Sequence, residues 1–151
     1  MSPIMDKDEA TKYVVSQRIR KGVTWRSIAE KIDRPLAWTI AALYGQHPMS
    51  ADDAVTVGEY LELDAAVVEA LQVQPFRGTF DDPVPSDPTI YRFYEAINVY
   101  GSAIKEMIHE EFGDGIMSAI NFNLTIDRRP DPDGDRVVVT FDGKFLDYKF
   151  S

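Results

Sequence analysis

The chain contains no cysteine, which excludes disulfides, thiolate nucleophiles and cysteine-ligated metals. Histidine is nearly as scarce. His47 and His109 are the two present, too far apart in sequence for an HxxxH pair, so a transition-metal site is not expected. Long apolar runs are missing too: none reaches the roughly 18 to 20 residues of a membrane span. The opening "MSPIMDKDEATK" lacks the basic-then-apolar order of a signal peptide. A cytoplasmic protein with no membrane partner is expected. Positive charge is in deficit, 16 Lys and Arg against 25 Asp and Glu, for a formal net charge of −9. General affinity for nucleic acid or anionic lipid needs clustered cations and is not expected. Any bound anion must be held by a local arrangement. No low-complexity tract or fixed-period repeat occurs, and 44% hydrophobic with 27% charged residues is ordinary for a folded chain.

What is present divides into two textures, and the fold class expected is α+β. Residues 1–73 carry a helical pattern and are read as a bundle domain of five short helices. "TKYVVSQRIRKG" ends at Gly22, Thr24 can cap "WRSIAEKI", and Pro35 stands where "LAWTIAALYG" begins. Gly45 closes that helix, Ser50 or Asp52 can cap the next, and Asp64 can cap "AAVVEALQV". Helix, short turn, helix is also the order of a DNA-binding helix-turn-helix. A recognition helix, however, exposes cations and amides to base edges, whereas Pro35 to Tyr44 holds no charged residue. Residues 1–73 hold eight Lys or Arg against eleven Asp or Glu. A regulator with an anion-sensing second half is therefore the rival reading, and nucleic acid is not the expected partner.

Residues 74–86 form a linker, part of a stretch from Gln74 to Pro88 with four prolines and one glycine. Residues 87–151 make the C-terminal domain. Asp87 followed by Pro88 is a helix start, and the helix is expected to run to Phe112 and stop at Gly113. Ile90, Phe93, Tyr94, Ile97, Ile104 and Ile108 fall in one stripe, expected to face the chain's own core. After "GDG" the period becomes two. Ile116, Ser118, Ile120, Phe122, Leu124 and Ile126 would share one face of a first strand. "RVVVTF" reads as a second strand, Asp142-Gly143 as a two-residue hairpin turn, and "KFLDYKF" as a third strand. So thin a unit has long edges, and pairing with a second copy would cover them.

Three residues stand out. Arg92 and Glu95, three apart, are neighbours on the helix. Such a pair can be no more than an exposed ion pair contributing about 0 to 1 kcal/mol. Yet Ala96, Val99 and Ala103 lie within about 40° of Arg92 at 100° per residue. Small side chains there let a second backbone approach, and a covered guanidinium oriented by Glu95 would keep donors free for an anion. Ser118 is either a small core residue or a hydroxyl that donates to that anion. No His-Asp pair is spaced to make it a nucleophile. Arg77 in "PFRG" is a second guanidinium, or a linker residue paired with Asp81 or Asp82.

"DPTIYRFYE", "VYG", "HEEFGDGIMSAINF" and "FDGKF", with "ALYGQ" and "PFRG" before them, together resemble the cyanase (cyanate hydratase, cyanate lyase) family over essentially the whole chain. The resemblance implies an N-terminal bundle similar to the lambda-repressor DNA-binding fold but not used on DNA. It implies a C-terminal domain, at once catalytic and dimerising, that intertwines with that of a second subunit, and five such dimers in a ring-like homodecamer. It further implies a lyase that decomposes cyanate with bicarbonate as co-substrate, without a cofactor, at sites between dimers. The family's catalytic arginine, glutamate and serine carry over onto Arg92, Glu95 and Ser118.

Overall fold

The computed structural model describes residues 1–75 and 84–148. Arg77, Asp81 and Asp82, with most of the linker, lie outside the described residues. The chain divides into two compact units, Met1–Thr79 and Phe80–Ser151. Among the described residues, six helices precede a two-stranded antiparallel sheet.

The first unit holds α1 (Lys7–Lys21), α2 (Trp25–Ile32), α3 (Leu36–Leu43), α4 (Ala51–Leu61) and α5 (Ala65–Leu71). Its helix ends are set by local chemistry. Asp6 accepts from the Asp8 amide at 2.8 Å, Thr24 from Ser27 at 3.0 Å and Ser50 from Asp53 at 3.2 Å. Each side chain thus satisfies an orphan donor of a first turn. Gly22, at φ 64°, ends α1 in the left-handed region where glycine carries no Cβ penalty. Two expected helix starts differ. Pro35 is the residue before α3, its carbonyl accepting from Thr39 N and Oγ1 at 2.9 Å each. Asp64 makes no side-chain cap; its carbonyl holds the start of α5 by accepting from Val67 and Val68 at 3.0 and 3.2 Å.

These short helices are stable because they share one core. Val14, Ile28, Leu43, Val57, Leu61 and Val67 are each under 2% exposed, and burying a side chain of that size stabilises by roughly 1.5–3 kcal/mol. Trp38 packs against this core, so α3 spends its apolar surface on packing. Polar ties close the bundle: Thr11 Oγ1 donates to Leu43 O at 2.8 Å and Gln17 Nε2 to Leu61 O at 2.9 Å. The Lys7 ammonium reaches Leu71 O at 3.4 Å, and burial pushes its pKa below the usual lysine value because desolvation penalises the charged form.

The second unit consists of α6 (Pro88–Phe112), β1 (Gly115–Arg129) and β2 (Arg136–Asp147). Asp87 accepts from both Thr89 and Ile90 amides, at 2.9 and 3.0 Å, and α6 ends at Gly113. The turn between strands lies at Asp131–Gly134, where the Gly134 amide donates to Asp131 O at 3.0 Å. Asp142-Gly143 does not turn, contrary to the hairpin expectation. A two-residue type I′ turn needs positive φ at both central residues, and neither adopts it. Instead β2 runs straight through, with Asn123 opposite Asp142 and Phe122 opposite Gly143. The expected second strand and the described part of the third are one; Lys149 and Phe150 lie outside the described residues.

The strict alternation expected for β1 also fails. The register jumps from Met117 opposite Phe145 to Phe122 opposite Gly143, so four residues, Ser118 to Asn121, face Lys144 alone. This long bulge rotates Ile120 into the open, where it is 97% exposed. A third correction concerns α6. No residue of this helix is buried; Ile90, Phe93, Tyr94, Ile97 and Ile104 are 40–54% exposed. Two strands offer too little surface to cover a 25-residue helix, so the stripe expected to face the chain's own core lies open in the single chain.

Candidate active site

Arg92 and Glu95 project from the second and third turns of α6, whose start is fixed by Asp87 and Pro88. Arg92 Nη1 lies 3.7 Å from Glu95 Oε2, with the side chains 66% and 54% exposed. At that exposure the pair contributes about 0 to 1 kcal/mol and leaves most guanidinium donors unspent. The Arg92 guanidinium also sits 5.8 Å from the Tyr91 ring centroid, within cation–π reach. Beside them Ala96, Val99 and Ala103 are exposed.

Ser118 is built differently. It is 7% exposed, and its Oγ accepts from the Ile120 amide at 3.1 Å and the Asn121 amide at 2.9 Å. Both lone pairs are therefore engaged. The hydroxyl proton is what remains to offer, so Ser118 can act only as a donor to an incoming oxygen or nitrogen. Two N–H groups donating to Oγ polarise that O–H further. Of the two readings open from sequence, the burial and the two backbone bonds fit a small core residue, and they leave the hydroxyl proton available for an anion.

The single chain brings Arg92 and Glu95 together but does not bond Ser118 to either. Arg92 stands 20 residues before Phe112, the end of α6, about 30 Å along the axis at 1.5 Å per residue. Ser118 follows that far end, where the Phe112 ring stacks on Phe145 at 5.2 Å. The histidines are engaged elsewhere, His47 stacked on Trp38 at 5.7 Å and His109 Nε2 3.9 Å from Asp114. Among the described residues no group of three or more His, Asp or Glu is placed to hold a metal ion. The groove along α4 and α5, floored by Val55, Gly58, Leu63 and Val68, is rimmed by Glu59, Glu62 and Glu69. Those carboxylates repel anions.

The bulge around Ser118, with the Ile120 and Asn121 amides, was not read from the sequence. Its one signal there is the glycine of "FDGKF", which looks like a turn residue until the register of β2 is known.

Both halves match models of one family. Residues 7–75 match the model described as "Cyanate hydratase, N-terminal", and residues 82–150 that described as "Cyanate lyase C-terminal domain". A cyanate hydratase of Mycolicibacterium vanbaalenii is 56% identical over 147 residues, 97% of this chain and 96% of that one. One of Thiobacillus denitrificans is 52% identical over 145 residues, 96% of this chain and 99% of that one. Among solved structures, cyanase from T. urticae superimposes with a TM-score of 0.77 at 35% identity, covering 91% of this chain and 96% of that chain. With both halves matched and more than half of its residues shared with a relative across nearly the full length of each, the chain belongs to the cyanate hydratase family.

Proposed function

We infer that this protein decomposes cyanate in a bicarbonate-dependent reaction that yields ammonia and carbon dioxide. The observation that carries the reading is the end-to-end similarity to cyanate hydratases; the open Arg92–Glu95 pair and the donor-only Ser118 hydroxyl support it. A bicarbonate oxygen attacks the cyanate carbon, and protonation at nitrogen gives a mixed dicarbonate adduct. The bond between the bridging oxygen and the bicarbonate-derived carbon then breaks, releasing one CO2 and leaving carbamate. Carbamate takes up a proton and separates into ammonia and a second CO2. In sum, cyanate, bicarbonate and two protons become two CO2 and one NH3.

Both reactants are anions. At about 3.5 Å their repulsion is roughly 5 kcal/mol for an effective dielectric near 20, and a chain of net charge −9 must offset it locally. Arg92 supplies the charge, Glu95 orients the guanidinium, and Ser118 donates to an anion oxygen. Holding two anions in attack geometry lowers the barrier without an acid–base side chain of tuned pKa. Bicarbonate is a co-substrate in this scheme, and no cofactor takes part.

The site is completed by other copies. Arg92 and Ser118 of one chain sit at opposite approaches to α6, and the whole apolar stripe of that helix is open. Two C-terminal units pairing through the stripe and the sheet would bury it. We place the active sites where such intertwined dimers meet, in a ring-like decamer of five, with Arg92 from one chain facing Ser118 from another. The helical unit is assigned a lambda-repressor-like arrangement that serves assembly and not DNA, since α3 from Leu36 to Leu43 has no charged residue. The working compartment is the cytoplasm.

Ammonia release by purified protein, in buffer stripped of CO2 and then restored with bicarbonate, tests the reaction. Turnover that needs bicarbonate, with carbon label from bicarbonate leaving as CO2, is the expected result. Undiminished turnover in stripped buffer, beyond what product CO2 can sustain, overturns the bicarbonate route.

A further inference from the structure

The β2 residue opposite one edge of the Ser118 bulge is Gly143, paired with Phe122. Its φ is not positive, so glycine is not required there by backbone conformation. Space is what requires it. A Cβ at position 143 would fall inside contact distance of the Ser118 carbonyl oxygen and lie 2.5 Å from Met117 Cγ. Met117 is flexible and can yield. The Ser118 carbonyl cannot move without moving the residue whose hydroxyl carries the two bulge amides.

We propose that Gly143 is a positioning residue for Ser118: its missing side chain lets the Ser118 backbone close onto β2, which fixes the four-residue bulge and the direction of the hydroxyl. Resting on the reading of Ser118 as an anion donor, this assigns the glycine of "FDGKF" a role in the reaction. Three observations converge on it. The bulge begins at Ser118; the Ser118 carbonyl is the backbone atom that a Cβ at 143 would strike; and Ser118 is the one buried residue of the bulge, Ala119, Ile120 and Asn121 being exposed. Displacement of the bulge by a methyl group shifts the hydroxyl by a fraction of an ångström to about 1 Å, and a misplacement of about 1 Å can cost on the order of a hundredfold in rate.

The test is a double-mutant cycle on the full chain, Gly143→Ala with Ser118→Ala, read by cyanate turnover and by peptide-level hydrogen exchange. Gly143→Ala alone should lower kcat by about tenfold to a hundredfold, with the cyanate KM moving less, while the residual activity of Ser118→Ala should not fall further when Gly143→Ala is added. Exchange of a peptide spanning Ser118 to Phe122 should quicken in Gly143→Ala, while the Thr125–Thr140 end of the ladder keeps its protection. Ordinary structural damage would instead add to the loss in the Ser118→Ala background and loosen the whole ladder; either result overturns the proposal. Should Gly143→Ala not assemble, the reciprocal arm decides: Ser118→Ala must quicken exchange around Gly143 and Lys144, and unchanged exchange there overturns it. A wild-type protein inert toward cyanate would sink the proposed reaction, while the exchange cycle would still judge the coupling.

Discussion

Replacing Ser118 by alanine separates stability from chemistry, because the two effects are of different size. The Ser118 Oγ accepts two backbone N–H groups, at 3.1 and 2.9 Å. Each such bond contributes about 0.5–1.5 kcal/mol net. Both bonds are partly buried, so the total cost is about 1–3 kcal/mol. The expected result is a folded protein with a lower Tm and an unchanged oligomer. Activity should respond far more. Loss of one preorganised donor to a reacting anion typically costs about a hundredfold to a thousandfold in kcat, about 2.7–4 kcal/mol. Ammonia release at saturating bicarbonate, set beside a thermal melt and light scattering on the same preparation, reads both numbers. A variant that keeps more than about a tenth of the wild-type kcat, or that loses activity only in step with its folded fraction, refutes the assignment of Ser118 to the site.

Arg92→Lys should abolish nearly all turnover while shifting stability by less than about 1 kcal/mol, since lysine keeps the charge but not the planar fork that engages Glu95 and an anion together; near-normal kcat would reduce Arg92 to a surface charge. Light scattering after size exclusion should find a large oligomer, and a clean monomer that turns over cyanate would reject the shared site. Leu61→Ala, at a side chain with 0% exposure, should destabilise the helical unit by about 2–5 kcal/mol in a denaturant titration; a cost below about 1 kcal/mol would mean that the shared core does not support these helices.

The helix boundaries were legible because their causes are local. Thr24, Ser50 and Asp87 cap with atoms two or three residues away, and Gly22 and Gly113 stop helices by their own backbone conformation. The Arg92–Glu95 pairing was legible for the same reason, since a helix places residues three apart side by side. The same logic misled at Asp142-Gly143. A two-residue sequence cannot tell a turn glycine from one that makes room for another strand, because the difference lies in Met117 and Ser118, more than twenty residues earlier. The stripe of α6 misled in another way: its periodicity marks a face that needs covering, not what covers it.

From the sequence alone follow the helical first half, the start and end of the long helix, and three candidate residues with chemistry suited to an anion. Each depends on contacts within a turn or two of the chain. Tertiary structure alone decided the course of β2, the bulge that engages both lone pairs of the Ser118 oxygen, and the exposure of the α6 stripe. Strand register is a long-range choice between apposed backbones. A hydroxyl's free valence depends on which amides that register leaves unpaired, and no local propensity encodes it.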